Sequence, residues 1–378
     1  MTQSVDTQYK LSDNLTAQSG RIFLTGTQAL VRMLLTQARL DKEHGLNTAG
    51  FVSGYRGSPL GGVDMIMWKA QKHLDQAKVR FQPAINEDLA ASMIMGTQQA
   101  GERADRTVDG VFSMWYGKGP GVDRAGDALH HGHAAGASQH GGVLMIVGDD
   151  HVASSSSIPH ASEQSLIAWG IPVVNPSSVE EYERFGIWAW ALSRYSGSWV
   201  AFKAITETVE SGRSFEIAPL DDLAPALADK QGGKHPYDPS KFLTPSMEGT
   251  LDARLDSVRE FAHKYSLDRI LEAAPDARIG IVSTGKATLD TLDALQQLSS
   301  LKDLPAIRHL KIGLSWPVNP QSLNDFIEGL DHVLVIEEKG PIIEDQLKNL
   351  LFNRAQRPTV SGKRDIENEV LIPADGQL

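Results

Sequence analysis

The chain contains 378 residues, of which 41% are hydrophobic, and its formal net charge is −11. This length predicts two or three domains, and the composition is typical of a globular α/β protein of the cytoplasm. The acidic charge argues against an extended nucleic-acid surface and against binding to anionic membranes. The sequence has no cysteine, which excludes disulfides, thiolate nucleophiles and cysteine-bound iron–sulfur clusters within these residues.

The first half of the chain alternates between strand and helix patterns. No secretory signal or membrane-spanning helix is expected, and an amphipathic helix is predicted within 24–45. Predicted strands then fall in 47–57, 79–85, 109–117, 141–150 and 198–205, and predicted helices in 63–78, 86–101, 123–136 and 179–195. This order predicts a parallel sheet with helices on both faces, which binds its ligand where the carboxyl ends of the strands meet.

The second half predicts a separate α/β unit after a linker. The stretch 228–246 is polar and rich in Gly and Pro, and 251–274 is expected to form one or two connecting helices. Strand patterns follow at 277–285, 305–313 and 331–338, with helices between and after them at 287–298, 319–330 and 341–353. We therefore predict an N-terminal extension (1–20), a first α/β domain (21–215), a linker with helices (216–275), a second α/β domain (276–355) and a tail (356–378).

Two glycine-containing motifs suggest nucleotide binding but do not satisfy its requirements. In "WYGKGPGVDRAG" (115–126) the glycines do not have the G-x-G-x-x-G spacing, and the alternative is a loop that packs closely against its surroundings. "GIVSTGKAT" (280–288) resembles a P-loop, but Ala287 stands where a magnesium-binding hydroxyl is needed. A nucleoside triphosphate site is therefore not expected.

Six of the 12 histidines lie between His130 and His160. A metal site is conceivable there, but the i, i+4 histidine pair typical of a metal-binding helix is missing, and no metal site is predicted. A pocket lined with imidazoles for substrate contact or proton transfer is the preferred interpretation, with core or surface histidines as the alternative. The serines of "ASSSSIPH" (153–160) lack the strained elbow of a hydrolase nucleophile.

The segment "AINEDLA" places Glu87 where a strand is predicted to pass into a helix. Taken alone, the segment is a helix start: Asn86 can cap the helix, and Glu87 and Asp88 fall in the first turn, where the helix dipole favours negative charge. Local sequence therefore gives Glu87 a structural role.

Several segments in order resemble one enzyme family. These are "GYRGSPLGGVD", "INEDLAA", "GVFSMWYGKGPGVDRAGDALHH", "GGVLMIVGDDH", "SRYSGSWVAFK" and "GLDHVLVIEEKGPIIEDQLK". They look like the N-terminal part of the long-chain indolepyruvate ferredoxin oxidoreductases, which are thiamine-diphosphate-dependent 2-oxoacid:ferredoxin oxidoreductases. The resemblance implies a pyrimidine-binding first domain and a second domain like the C-terminal domain of transketolase.

The resemblance also implies roles for individual residues. Glu87 matches the glutamate that hydrogen-bonds the aminopyrimidine ring of thiamine diphosphate, which promotes deprotonation of the thiazolium ring and makes Glu87 a catalytic residue. Tyr55, Arg56, Gly57 and Ser58 match a loop near the cofactor. The residues placed on the substrate side are Lys118, Arg124, His130, His133, Asp149, Asp150 and His151. Lys118 or Arg124 is expected to hold a 2-oxoacid carboxylate.

Departures from the family pattern imply that the chain acts with a partner. The sequence lacks the Gly-Asp-Gly motif of the domain that binds the diphosphate through Mg²⁺, and it lacks cluster-binding cysteines. The expected partners are the remaining thiamine-diphosphate and iron–sulfur domains or subunit, with ferredoxin and coenzyme A serving the full enzyme, and a homodimer is also expected. The alternative is a catalytically inactive binding or assembly module of the same fold. The sequence does not specify the 2-oxoacid.

Overall fold

The computed structural model describes residues 9–101, 103–154, 156–223, 238–300 and 304–378, which form two α/β units. The elements of the first unit are α1 (Asp13–Thr16), β1 (Arg21–Thr25), α2 (Gly26–Glu43), β2 (Thr48–Gly54), α3 (Val63–Lys69), α4 (Gln71–Gln76), β3 (Val79–Phe81), α5 (Glu87–Ala100), β4 (Gly110–Lys118), α6 (Gly119–Arg124), α7 (Gly126–Ala135), β5 (Val143–Gly148), α8 (Glu163–Ala168), β6 (Val173–Val174), α9 (Val179–Ser196), β7 (Trp199–Lys203), α10 (Thr206–Val209) and β8 (Gly212–Glu216).

The elements that follow form the connection and the second unit. They are α11 (Leu220–Leu223), a 3-10 turn (Pro239–Lys241), α12 (Met247–Lys264), β9 (Arg269–Ala273), β10 (Ile279–Thr284), α13 (Ala287–Ser299), β11 (Ile307–Ile312), β12 (Leu314–Trp316), α14 (Pro320–Ile327), β13 (His332–Ile336), α15 (Ile342–Leu351) and β14 (Thr359–Ser361). No helix in the described part of the chain combines the length and the apolar character needed to cross a membrane.

The first unit is built on a seven-stranded sheet in the order β12-β6-β7-β5-β4-β2-β3. Its strands pair in parallel except β12, which is antiparallel to β6. Side chains alternate between the two faces of β4: Met114 belongs to the core cluster that contains the buried side chains of α2 and α9, and Trp115 to the cluster that contains those of α5. The sheet is therefore covered on both faces, as the sequence predicts.

The second unit is a five-stranded sheet in the order β14-β13-β10-β11-β9. Its strands are parallel except β9, which pairs antiparallel with β11. The two mainly parallel sheets confirm the predicted α/β fold class. Strand β9 lies in the segment predicted as linker, and β14 lies in the predicted tail. The second sheet therefore extends beyond the predicted second domain (276–355) at both ends. Residues 224–237 of the predicted linker lie outside the described residues.

Two predicted helices are wrong in detail. The helix predicted over 63–78 is divided at Ala70 into α3 and α4. The connecting helices predicted over 251–274 are one helix, α12, followed by strand β9. Strand β9 is an edge strand whose side chains are mostly exposed, so its pairing with β11 outweighs the helical pattern of the local sequence.

The two units share a sheet, because β12 follows β11 of the second sheet and then pairs with β6 of the first. Two bonds beside this pairing join the units. The Asn175 amide donates to the Gly313 carbonyl at 3.0 Å, and the Ser315 hydroxyl donates to the Val173 carbonyl at 3.2 Å. The contact between the units is therefore part of the fold.

A buried ion pair joins α2 to α9 across one face of the first sheet. Both guanidinium ends of Arg194 donate to the Asp41 carboxylate, at 2.6 and 2.8 Å, and its Nε donates to the Gly141 carbonyl at 2.9 Å. Gln37 and Thr48 also donate to Asp41. Every oxygen of this buried carboxylate is therefore satisfied.

Replacing Arg194 with Met is expected to destabilise the chain by about 3–5 kcal/mol, because it leaves the Asp41 charge buried without its partner. The free energy of unfolding in urea measures this loss. The matched control is Arg278→Met, since the pair Arg278–Asp331 has side chains 65% and 62% exposed, and exposed pairs contribute little. Equal effects of the two substitutions would contradict a special role for the buried pair.

Candidate functional site

The residues matched to the cofactor site gather at the carboxyl edge of the first sheet. The loop 55–62 leaves β2, α5 begins after β3, and α6 begins directly after β4. Strand β2 lies between β3 and β4. The connection after β2 runs to β3 on one side, whereas the connection after β4 runs to β5 on the other. At such a switch point, α/β sheets bind ligands in a crevice beyond the strand ends.

Glu87 is the first residue of α5, and its side chain is buried, with the residue 5% exposed. Asn86 caps the helix, because its side-chain oxygen accepts a hydrogen bond from the Leu89 amide at 2.9 Å. The Trp115 indole donates to the Glu87 carbonyl at 3.2 Å, which fixes the backbone here. Asn86 therefore caps the helix, and the Glu87 carboxylate is not needed for capping.

The Glu87 carboxylate has few partners among the described residues. It accepts no hydrogen bond from them, and its nearest cation is Arg124, whose Nε lies 3.9 Å from Oε2 and whose side chain is 60% exposed. A Cβ at position 121 would lie 2.5 Å from Oε1. Only glycine at 121 leaves room for the carboxylate in this position.

The glycine-rich segment after β4 is helical. Helix α6 begins at Gly119, directly after Lys118, so the loop expected between the strand ending at Gly117 and the helix starting at Asp123 is helical instead. Its glycines allow close packing: a side chain at Gly119 would overlap the His160 ring, and one at Gly121 would overlap Glu87. This is the close-packing alternative that the sequence left open, and the segment forms no phosphate-binding loop.

The loop after β2 lies against the end of β4. The Tyr55 amide donates to the Tyr116 carbonyl at 3.1 Å, and a Cβ at Gly57 would lie 2.8 Å from the Lys118 side chain. Tyr55 and Arg56 are exposed, and Ser58 is partly exposed. The structure thus brings the predicted cofactor loop beside Lys118, one of the predicted substrate residues.

The predicted histidine pocket does not assemble, because the histidines separate into different surroundings. His133 is buried, accepts a hydrogen bond from the Trp199 amide at 3.2 Å, and has its pKa lowered by burial and by the nearby Arg254 charge. These are the contacts of a core residue. His130 is exposed and stacks on Trp169. In the described part of the chain, no group of three or more His, Asp or Glu residues is arranged to hold a metal ion.

Comparison with known proteins identifies sequence relatives of this chain. Residues 269–378 match the family described as "Indolepyruvate oxidoreductase domain". The chain is 25% identical over 362 residues to the indolepyruvate oxidoreductase subunit IorA of Methanothermobacter thermautotrophicus, across 94% of this chain and 53% of that protein. It is also 25% identical over 349 residues to subunit IorA of Pyrococcus horikoshii, across 91% of this chain and 49% of that protein. This is an IorA-like chain. It spans about half the length of these relatives.

Solved structures agree on the fold of the IorA-like chain. The 2-oxoglutarate:ferredoxin oxidoreductase from Magnetococcus marinus superposes with a TM-score of 0.64 at 15% identity, across 90% of this chain and 62% of that one. A split-gene transketolase described as an inactive β4 tetramer gives 0.52 at 14% identity, across 92% and 90%. These likenesses confirm the expected relation to the 2-oxoacid:ferredoxin oxidoreductase and transketolase folds.

The segment after β5 in the IorA-like chain forms a contact with the second unit. His151 is buried, and its Nδ1 lies 2.9 Å from Oε2 of Glu338, a residue that follows β13. Burial opposes ionisation of Glu338, but the hydrogen bond and charge of His151, with the charge of Lys286, lower its pKa to about 2. Buried Lys203, at the end of β7, pairs with Glu163 beside this contact. His151 is therefore bound into the contact between the two units.

Asp150 serves the turn that follows β5. Its carboxylate accepts a hydrogen bond from the Ser154 amide at 2.9 Å, and its carbonyl accepts one from the His160 amide at 2.9 Å. Asp150 is itself buried. These bonds tie Ser154 and His160 to Asp150, directly after the end of β5.

Sequence reasoning missed the chain Asp149–His160–Asp123. The His160 ring lies 3.4 Å from Asp149 Oδ1 through Nδ1, and 2.8 Å from Asp123 Oδ2 through Nε2. Asp149 also accepts bonds from the amide and hydroxyl of Ser162. No local pattern reveals this chain, because its members come from three separate segments. For Glu338 the sequence gives a weak indication of a functional role, because it is one of two carboxylates that directly follow a buried strand.

The two carboxylates determine the protonation of His160. The hydrogen bond that the His160 ring donates to Asp149, and then the one it donates to Asp123, raise the pKa of His160 to about 9 against the opposing effect of burial. Burial opposes ionisation of Asp149, but the His160 bond, the Lys203 charge and the Ser162 bonds lower its pKa below the ordinary 3.8. Protonated His160 therefore holds α6 to the segment after β5.

His160→Gln is expected to lower the free energy of unfolding by about 1–3 kcal/mol near pH 6, because a neutral amide forms weaker bonds to the two carboxylates. Since the folded pKa of His160 is raised, its contribution is complete below pH 6.5 and is lost as the pH rises through about 9. The difference between wild type and variant in urea unfolding should therefore shrink by pH 10. His131→Gln, on an exposed pair with Asp127, is the control, and a pH-independent deficit in His160→Gln would contradict the ion pair.

Proposed function

We propose that this chain is the part of an indolepyruvate-type 2-oxoacid ferredoxin oxidoreductase that supplies the aminopyrimidine half of a thiamine diphosphate site. The observation that carries the proposal is the buried Glu87 carboxylate, which stands at the start of α5 on the carboxyl edge of the first sheet, where Asn86 caps the helix in its place. Similarity to the IorA subunits supports the reaction class.

The residues around Glu87 fit a nitrogen heterocycle. The carboxylate keeps its hydrogen-bonding capacity, because the described residues donate no hydrogen bond to it and the glycine at 121 leaves space beside Oε1. Thiamine diphosphate, when bound, supplies the electron sink for decarboxylation of a 2-oxoacid. Glu87 would hold the ring through its nitrogen N1′ and would move a proton at that atom, the general acid–base role that a positioned carboxyl can fill.

The neighbouring residues are assigned to orientation and substrate binding. The loop from Tyr55 to Ser58 lies against Lys118 and orients the cofactor. Lys118 and Arg124 are the cations beside the crevice, and either one binds the carboxylate of the 2-oxoacid through a charge-assisted hydrogen bond. Arg124 also balances the negative charge of Glu87 and Asp88.

The site is completed by other domains or by a partner subunit. The chain spans about half of its relatives, and its sequence lacks the diphosphate-binding motif and cysteines. The rim around Glu87 exposes apolar side chains: Ile85 is 81% exposed, Leu89 46% and Tyr55 38%. We propose that domains holding Mg²⁺, the diphosphate and the iron–sulfur clusters cover this rim and exclude water, and that ferredoxin and coenzyme A serve the assembled enzyme.

Glu87→Gln is expected to reduce 2-oxoacid-dependent dye reduction by at least about 100-fold, because an amide cannot exchange the proton with N1′. The measurement uses the chain reconstituted with the polypeptide that carries the remaining domains. The chain alone is expected to be inactive.

Asp88→Asn is the matched control, since Asp88 is the adjacent carboxylate with a side chain 39% exposed. Its activity should stay within a few-fold of wild type. Unchanged activity in Glu87→Gln would remove Glu87 from the mechanism and favour the alternative, an assembly module that needs the fold without the chemistry.

A further inference from the structure

A second groove lies at the amino ends of the strands of the first sheet, opposite the candidate cofactor site. It has a cavity volume of about 810 Å³ and runs between the α1 segment, α2 and the turn that joins α4 to β3. This volume is in the range of about 300–1,000 Å³ that small-ligand sites occupy. Thr48, the first residue of β2, lines the groove.

The groove is positively charged in a chain whose net charge is −11. Arg39 and Lys42 reach it from α2, and Lys78 reaches it from the turn before β3. None of the described residues that line it is Asp or Glu. Cationic side chains grouped in one concave surface concentrate an attractive potential for anions.

Two of these cations have unused hydrogen-bonding capacity. The Arg39 Nε atom is buried and has no hydrogen-bond partner, and neither Arg39 nor Lys42 forms a side-chain ion pair with a described residue. Arg32, which also lines the groove, differs because its guanidinium bonds Glu183 and the carbonyls of Asn14 and Ala17. Burying a guanidinium N–H without an acceptor is unfavourable, so an acceptor supplied by a ligand would be stabilised here.

The rest of the lining is apolar and suits a hydrophobic moiety. Leu15, Leu35, Leu46 and Ala77 contribute to the walls beside the cations. We propose that this basic groove binds a small organic anion in which a phosphate, sulfonate or carboxylate group is joined to an apolar moiety. Arg39 and Lys42 bind the anionic group, and the leucines contact the apolar part.

The groove is independent of the candidate cofactor site. Strand β2 spans seven residues from Thr48 to Gly54, and at about 3.3 Å per residue its ends are about 20 Å apart. Ligands at the two ends therefore do not compete for the same residues, and a test of the groove does not depend on the function of Glu87.

The test uses anilinonaphthalene sulfonate, an anionic apolar fluorophore, and its uncharged counterpart phenylnaphthylamine. Fluorescence titration of the full chain measures the Kd of each probe. Arg39→Gln and Lys42→Gln should each weaken sulfonate binding at least about tenfold, with little change for the uncharged probe, because each loses a charge-assisted hydrogen bond. Arg39→Lys, which keeps the charge, should lose less than Arg39→Gln.

Lys72→Gln is the control for removing one positive charge, since Lys72 lies on α4 beside His73 but does not line the groove. The thermal unfolding midpoint of each variant verifies folding, and Glu87→Gln should bind both probes as wild type does. The proposal is overturned if Arg39→Gln and Lys72→Gln bind the sulfonate equally well, or if the uncharged probe weakens as much as the charged one.

Discussion

The parallel pairing of β2 with both β3 and β4 is the constraint on which the rest of this structure depends. Parallel strands place all their carboxyl ends at one edge, so residues far apart in sequence, such as Ser58, Glu87 and Lys118, follow neighbouring strands at that edge. The same geometry places the amino ends at the opposite edge, where the last turns of α2 meet the turn before β3. The candidate cofactor site and the basic groove therefore belong to opposite ends of the same three strands.

Buried ion pairs lie where the two units meet. His151 with Glu338 joins the units, and Lys203 with Glu163 lies beside it within the first unit, both with nearly no exposure. Removing one partner of such a pair leaves an uncompensated buried charge, which is strongly destabilising. Because Glu338 follows β13 and His151 follows β5, their contact joins the carboxyl ends of both sheets.

The features that the sequence predicts well are those encoded locally. The run Val143–Gly148 is apolar on both faces and forms a central strand, and Asn86 caps α5 as its side chain and position suggest. The features it predicts poorly depend on distant partners. Strand β9 forms because it pairs with β11 at the edge of the second sheet. The glycines at 119 and 121 are required because the side chains of His160 and Glu87 pack against them. Position along the chain gives no indication of such contacts.

The surroundings of Glu87 argue for retained chemistry over a purely structural role. Other buried glutamates in the first turn of a helix have a close cationic partner: Glu163 at the start of α8 pairs with Lys203. Glu87 is equally buried but has only one loosely placed arginine nearby and a glycine that keeps space beside it. Departures of this kind from ordinary folding preferences concentrate at functional sites. Ile85 and Leu89, on either side of Glu87, are exposed, so apolar surface is left in contact with water. One docking surface that buries the rim and supplies a hydrogen-bonding partner to the carboxylate would satisfy both groups.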